Sequence, residues 1–362
     1  MSIIVDAEAF LVDIPVETVR LDAVQAFVKQ ETIFVRLTTS DGNTGLGYSY
    51  TIGSGGTSVL ALLKDHLLPQ LPGLDSRRIE SLWNTLYYST RATTTGVITS
   101  LAIASIDTAL WDLKGKRNSE PLSVSAGGFG TEVPLYDTEG GWLHLSIDEL
   151  VKGAHASHDA GWPGVKVKVG SRNGRDDVER LEAVRGAIGP DMKLMVDANQ
   201  SMTLAEARRR AAVFEPMDLY WFEEPMPADN VSAHRELVRS TSIPIAIGES
   251  MYSVAQFAEY LHRGAASVVQ VDVARVGGIT PWLKVAHLAE AYNVPVCPHF
   301  LMELHVSLAC AIPNGHFVEH IPQLRAITQS PMVIRDGRAM APDTVGLGID
   351  WDFDAIDRMR VA

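Results

Sequence analysis

The sequence predicts an α/β protein: a modified (β/α)8 barrel of the TIM type over residues 131–344, preceded by an α+β capping domain over residues 1–125. Three observations predict it. From Val133 to Val318, eight short apolar runs alternate with stretches of amphipathic helical spacing. Such alternation argues for a parallel sheet, and eight repeats argue for a closed barrel over an open sheet. Eight charged or imidazole side chains follow these runs: Lys166, Lys168, Asp197, Glu223, Glu249, Asp272, His299 and Glu319. A barrel of parallel strands gathers such ends at one face, the face that carries chemistry. Finally, AGGFG at Ala126–Gly130 reads as a linker, and the pattern before it is different.

In that first part, strand-like runs at Ile3–Leu11 and Thr32–Leu37 come first, and SDGNTG (Ser40–Gly45) is a turn signal before LGYSY. Helices are predicted at Ser58–Gln70, Arg77–Tyr88 and Gly96–Lys116. In the last of these, apolar residues recur at Ile103, Ile106, Leu110 and Leu113. Barrel strands are predicted at Val133–Tyr136, Val165–Val169, Leu194–Val196, Leu219–Phe222, Ile245–Ile247, Val268–Val271, Val294–Cys297 and Phe317–Val318. Between them, helices are predicted at Ser146–Ala160, Arg175–Ile188, Leu204–Phe214, Val254–His262 and Thr280–Tyr292. The first opens SIDE, so Ser146 and Glu149 can form a capping box. The tail, 345–362, is expected to pack back on the capping domain.

A chain of 362 residues with 46% apolar residues has room for a large core and more than one domain. The net charge of −13 argues against nucleic acid or an anionic membrane as partner. It leaves room for an anionic small substrate, because a local cation overrides the global field. Two cysteines, Cys297 and Cys310, fit a reducing compartment. The first residues lack a basic n-region, and no run approaches the roughly 20 apolar residues that span a bilayer. The expectation is a soluble, cytoplasmic protein.

Asp197, Glu223 and Glu249 are spaced by 26 and 26 residues, about one strand–helix unit per step. They therefore occupy matching positions on neighbouring strands. Three converging carboxylates repel unless a cation sits among them. Oxygen-only ligands select a hard ion, and Mg2+ takes a few carboxylates while leaving sites for substrate. Asn199 and Glu224 are expected behind them. Lys166 and Lys168, two apart, point the same way on one strand. Their repulsion and a nearby divalent ion should lower the pKa of one toward that of a general base. Asp272 and His299 end adjacent strands, where a carboxylate can fix the imidazole tautomer. GSGG at Gly53–Gly56 lacks a phosphate-loop ending and is expected as a loop near the substrate.

Taken together, the KxK at Lys166–Lys168, the Asp197/Glu223/Glu249 triplet, the Asp272–His299 dyad and Glu319 resemble, in their order, the mandelate racemase subgroup of the enolase superfamily. The stretches VDANQ, FEEP, RVGGIT, PHFLMELH, YDTEGGWLHL and GLGYSY are similar to its acid-sugar dehydratases of the galactarate/talarate type. The resemblance implies removal of a proton α to a carboxylate held on Mg2+. It implies Lys168 and His299 on opposite sides of the α-carbon, and Lys166 and a protonated Glu319 at the carboxylate. Thr138, Asn199, Tyr50 and the loop from Leu21 to Val28 are implied at the substrate, a small sugar acid. It further implies a homo-oligomer, octameric by analogy. A dehydratase would expel the β-hydroxyl and form a 2-keto-3-deoxy acid. A 2-hydroxyacid racemase or epimerase would use the same residues, and a catalytically silent metal or sugar-acid binding protein would keep the ligands without turnover.

Overall fold

A computed structural model describes residues 2–93 and 96–362. The chain opens with an antiparallel meander of β1 (Ile4–Ile14), β2 (Gln30–Thr39) and β3 (Thr44–Thr51). The helix Val97–Asn118 lies on this sheet, with Ile103, Ile106, Leu110 and Leu113 all buried. Its seat explains the glycines of GLGYSY. A Cβ on Gly45 would lie 2.3 Å from the Ala109 carbonyl oxygen, and one on Gly47 2.2 Å from the Ala109 nitrogen. Any side chain there would lift the helix off the sheet.

The predicted helix Ser58–Gln70 is broken in fact. An α-helical turn over Gly56–Leu62 widens over Leu63–Leu67 and tightens over Leu68–Gln70, where Pro69 removes a donor. The helix Ile79–Ser89 follows and packs toward the barrel, with Trp83 Nε1 donating to the Gly277 carbonyl at 2.8 Å.

The parallel strands are β4 (Glu132–Asp137), β5 (Gly164–Lys168), β6 (Lys193–Asp197), β7 (Leu219–Glu223), β8 (Ile245–Ile247), β9 (Val268–Val269) and β10 (Val318–His320). Single parallel bridges from Val269 to Val296 and from Val296 to Gly315 fill the place between β9 and β10. β10 then pairs with β4 and closes the ring. Helices stand between the strands; the one at Ile147–Asp159 carries the capping box of Ser146 and Glu149, a feature worth about 1 kcal/mol. Helices Val231–Val238 and Met302–Ala311 are additional to those expected.

Two expectations change. The segment Val294–Cys297 is reduced to the bridge at Val296, and Val268–Val271 to two residues, because the chain turns early to present Asp272 and His299. No helix completes the eighth unit: after β10 a hairpin, β11 (Ile334–Arg335) and β12 (Arg338–Met340), pairs antiparallel with β4. The last helix, Phe353–Met359, lies by β1, and Val361 N donates to the Leu11 carbonyl at 2.9 Å.

Tyr136, Met195, Trp221, Ala246, Val268, Cys297 and Phe317 fill the barrel interior as one packed layer. Side chains two apart on a strand face the same way. The layer above this plug is therefore Thr138, Lys168, Asp197, Glu223, His299 and Glu319, with Asp272 one step further on its strand. A dry apolar floor thus lies beneath a polar ceiling.

Candidate active site

The ladder places Lys168 opposite Asp197, and Asp197 opposite Glu223, on neighbouring strands. Asp197, Glu223 and Glu249 each offer a carboxylate oxygen within 4.8 Å of the others, and all three are buried. Glu249 Oε2 is buried without a hydrogen bond, its near neighbour being His299 Nε2 at 3.2 Å. Lys166, 1% exposed, reaches Glu223 Oε1 at 3.2 Å and Glu319 Oε1 at 2.8 Å. Lys168 pairs with Asp197, and its ammonium lies 5.2 Å from the Trp142 ring centroid. Asp197, Glu223, Glu249 and Glu319 crowd together here around the Lys166 and Lys168 ammonium groups, with Arg275 3.5 Å from Glu249 Oε1. Burial and the neighbouring Asp197 push the Glu223 carboxyl up to about 8. The donor set is oxygen only. The unpaired oxygen and the convergence of three carboxylates suit Mg2+.

His299 Nδ1 bonds Asp272 Oδ2 at 2.9 Å. Asp272 Oδ1 accepts from Ala274 N at 2.8 Å and Arg275 N at 3.0 Å, which fixes the carboxylate at the turn. Burial opposes charge on both partners. The bond to His299 nevertheless holds Asp272 down at about 2, and Glu249 and Asp272 hold the imidazole above its ordinary value. The chain turns sharply after several strand ends. Asn199, Glu224 and Phe300 adopt φ of 44°, 35° and 64°, left-handed values that non-glycine residues take mostly where tertiary structure enforces them.

The loop after β4 is set by a close approach. A Cβ on Gly141 would lie 1.8 Å from the Lys166 carbonyl oxygen, while Lys168 N donates to the Gly141 carbonyl at 2.7 Å. This contact lays Trp142 over Lys168. The loop holding Leu21 meets it there. Leu143 N donates to the Leu21 carbonyl at 2.9 Å, Arg20 Nε donates to Glu139 at 3.0 Å, and Phe27 packs edge-on against Trp142 at 5.5 Å.

Of the residues expected from the sequence, Lys168, Glu249, His299 and Glu319 line one pocket, while Lys166, Asp197, Glu223 and Asp272 lie behind it against these four. Asn199 lines it, with its Oδ1 buried and unpaired. Glu224 lies behind, accepting from Ser250 Oγ at 3.2 Å, and burial raises its carboxyl well above the ordinary range.

Other expectations need correction. Leu21 does not line the pocket; its loop contributes Asp22, Gln25 and Phe27 instead. Tyr50 is buried outside the pocket lining with its hydroxyl donating to Asp272 Oδ2 at 2.7 Å, where it holds the dyad. Thr138 donates to Glu319 Oε1 at 2.8 Å and is likewise behind the pocket wall. Glu319 also accepts from Phe300 N at 3.0 Å. With Lys166 it has three donors, and although burial opposes ionisation, Lys166 moves its carboxyl below the ordinary value. Burial and Lys166 disfavour the Lys168 ammonium, but Asp197 outweighs them and raises it; the expected lowering belongs to a divalent ion drawing Asp197 away. Gly53–Gly56 lies outside the lining. Gly56 N donates to Glu31 at 3.1 Å and opens a helix, while Ile52 just before it does line the pocket. Arg275, which sequence reasoning passed over, lines the pocket and donates to the Glu249 carbonyl at 2.9 Å and to the Tyr50 hydroxyl at 3.2 Å.

Comparison with known proteins bears on this arrangement. Residues 6–125 match the family model described as the N-terminal domain of mandelate racemase / muconate lactonizing enzyme, and residues 149–355 match the one described as enolase C-terminal domain-like. The chain is 35% identical over 350 residues to 3,6-anhydro-alpha-L-galactonate cycloisomerase of Streptomyces coelicolor, across 96% of this chain and 97% of that one. It is 36% identical over 316 residues to L-talarate/galactarate dehydratase of Salmonella typhimurium, across 87% of this chain and 79% of that one. The structure superposes on L-talarate dehydratase of Polaromonas, solved with Mg and L-glucarate, with a TM-score of 0.95 and 36% identity, covering 100% of this chain and 98% of the other. Among the described residues no helix is long and apolar enough to cross a membrane.

Proposed function

The chain belongs to the mandelate racemase/muconate lactonizing enzyme family of the enolase superfamily, and from that premise we propose that it is an Mg2+-dependent lyase that dehydrates a sugar acid. The observation that carries this reading is the pairing of Lys168 and the Asp272–His299 dyad on either side of one buried carboxylate triplet. Asp197, Glu223 and Glu249 would hold Mg2+, which supplies positive charge to a substrate carboxylate as negative charge develops on it.

Lys166 adds a second cation at that carboxylate, and Glu319 orients Lys166. Lys168 takes the proton from the α-carbon. Its counter-ion is Asp197; when Asp197 ligates a cation, burial beside Lys166 favours the neutral amine. His299, raised toward its charged form by Glu249 and Asp272 despite burial, donates its proton to the departing β-oxygen. The C–O bond breaks, water leaves, and the enol becomes a 2-keto-3-deoxy acid. A β-oxygen tethered in a ring leaves by the same route but stays attached, which makes a cycloisomerase from the same residues.

The apolar wall of Phe27, Ile52, Phe300 and Ile321 favours a second reading, racemisation or epimerisation of a less hydroxylated 2-hydroxyacid. Incubation of a library of sugar acids with enzyme and Mg2+, followed by semicarbazide detection of keto acids, separates the two. Dehydration forms the keto acid. Solvent-proton incorporation into an epimer without keto acid overturns dehydration.

A further inference from the structure

The sugar-acid reading leaves open how many carboxylates the substrate carries, and the pocket wall bears on that. Resting on that reading, we propose that Asp22 makes the enzyme select sugar acids with one carboxylate and exclude those with a second carboxylate at the far end. Asp22 is 4% exposed and lines the pocket on the capping-loop side, near Lys168. Its Oδ1 accepts from Val24 N and Gln25 N, each at 2.8 Å, so the loop's own turn fixes the carboxylate in place. The loop is tied down by Leu21 on Leu143, Arg20 on Glu139 and Phe27 on Trp142.

In that reading one substrate carboxylate sits at Lys166 and the triplet, in the polar layer above the apolar plug. The rest of the molecule then meets Asp22, Gln25, Phe27, Ile52 and Trp142. A second carboxylate needs a cation there. The described lining residues offer three cationic side chains, and all are engaged: His299 is held between Asp272 and Glu249. Lys168 pairs with Asp197, and Arg275 donates to the Glu249 carbonyl and the Tyr50 hydroxyl. A second anion would instead lie against the Asp22 carboxylate in a water-poor pocket, where like charges are strongly disfavoured. A hydroxyl in the same place donates to Asp22 and is favoured. The sign of one lid residue therefore sorts aldonates, or their ring-closed forms, from aldarates.

The test compares pairs of sugar acids that differ only at the far carbon, such as galactonate and galactarate, in several configurations, with the full-length enzyme and Mg2+. Both kcat/KM and the ligand-induced shift in melting temperature are read. The mono-acid should be preferred by about tenfold or more in kcat/KM and should stabilise the protein at lower concentration. Asp22→Asn keeps an Oδ1 for the two backbone donors and removes only the charge. It should move the preference toward the di-acid by about tenfold. A wild-type preference for the di-acid, or a ratio unchanged in Asp22→Asn, overturns the inference. If no acid turns over, the reaction assigned above fails, while the melting shifts still decide the charge rule.

Discussion

The Tyr50 hydroxyl, carried by β3 of the N-terminal sheet, donates to Asp272 Oδ2 at 2.7 Å, the same oxygen that His299 Nδ1 bonds at 2.9 Å. One carboxylate oxygen thus joins a residue of the capping sheet to the imidazole of the barrel. Tyr50→Phe keeps the ring stacked on Phe300 and deletes the donor. The expected result is a fall in kcat of about 10–100-fold, as for partners that orient a reactive histidine. KM and melting temperature should change little. Steady-state kinetics with a thermal melt checks this, and a fall confined to KM would contradict it.

Lys168→Met removes the proposed base but none of the three metal-binding carboxylates. Turnover should fall by about 10²–10⁴-fold, the range for loss of a positioned general base. Stabilisation by Mg2+ should survive, because Asp197 loses a competing cation. A melting curve with and without Mg2+, beside the activity assay, reads both.

Glu249→Gln should lose both turnover and most of the stabilisation by Mg2+. Chelator should abolish wild-type activity, and Mg2+ should restore it. The wild type should gain roughly 2.7 kcal/mol of stability at a hundred times the dissociation constant, and the variant much less. Equal Mg2+ stabilisation of the two proteins would exclude Glu249 as a ligand.

Asp107 gives a pH test away from the metal ligands. It accepts from Thr280 Oγ1 at 2.6 Å and Thr280 N at 2.9 Å, holding the RVGGIT turn onto the helix Val97–Asn118. Burial pushes its carboxyl up to about 7, from 3.8. A raised acid contributes stability that is full below its unfolded pKa and is lost as pH rises through the folded one. The wild type should therefore melt lower as pH rises from about 4 to 8. Asp107→Asn should flatten part of that slope. Glu303, also raised by burial to about 7, and the raised Glu223, Glu224 and His299 leave the remainder. Identical slopes would remove Asp107 as a cause.

The strand ends were legible because each follows an apolar run, and an alternating pattern states which side chains share a face. Lys168, Asp197, Glu223, His299 and Glu319 needed no distant information. Tyr50 did. Its bond to Asp272 spans 222 residues, and nothing local distinguishes it from Tyr48. Arg275 was hidden for the same reason, its partners being Tyr50 and Glu249. Asp22 sits in an apolar loop whose closure depends on Trp142, so its aspect toward the pocket is a tertiary fact. The helix Met302–Ala311 is buried almost all round and shows no amphipathic period. The pairing of Lys168 with Asp197 and of Lys166 with Glu319 was not legible either, because sequence gives the neighbours without their pairing.

The proton transfers assigned to Lys168 and His299 are read by NMR in D2O with Mg2+ and a sugar acid that the wild type converts. His299→Asn should exchange the C2 proton of recovered substrate for deuterium while forming almost no keto acid, because the base remains and the acid is gone. Lys168→Met should do neither. Keto acid formed by His299→Asn at the wild-type rate, or C2 exchange undiminished in Lys168→Met, would show that these two side chains do not divide the reaction between them.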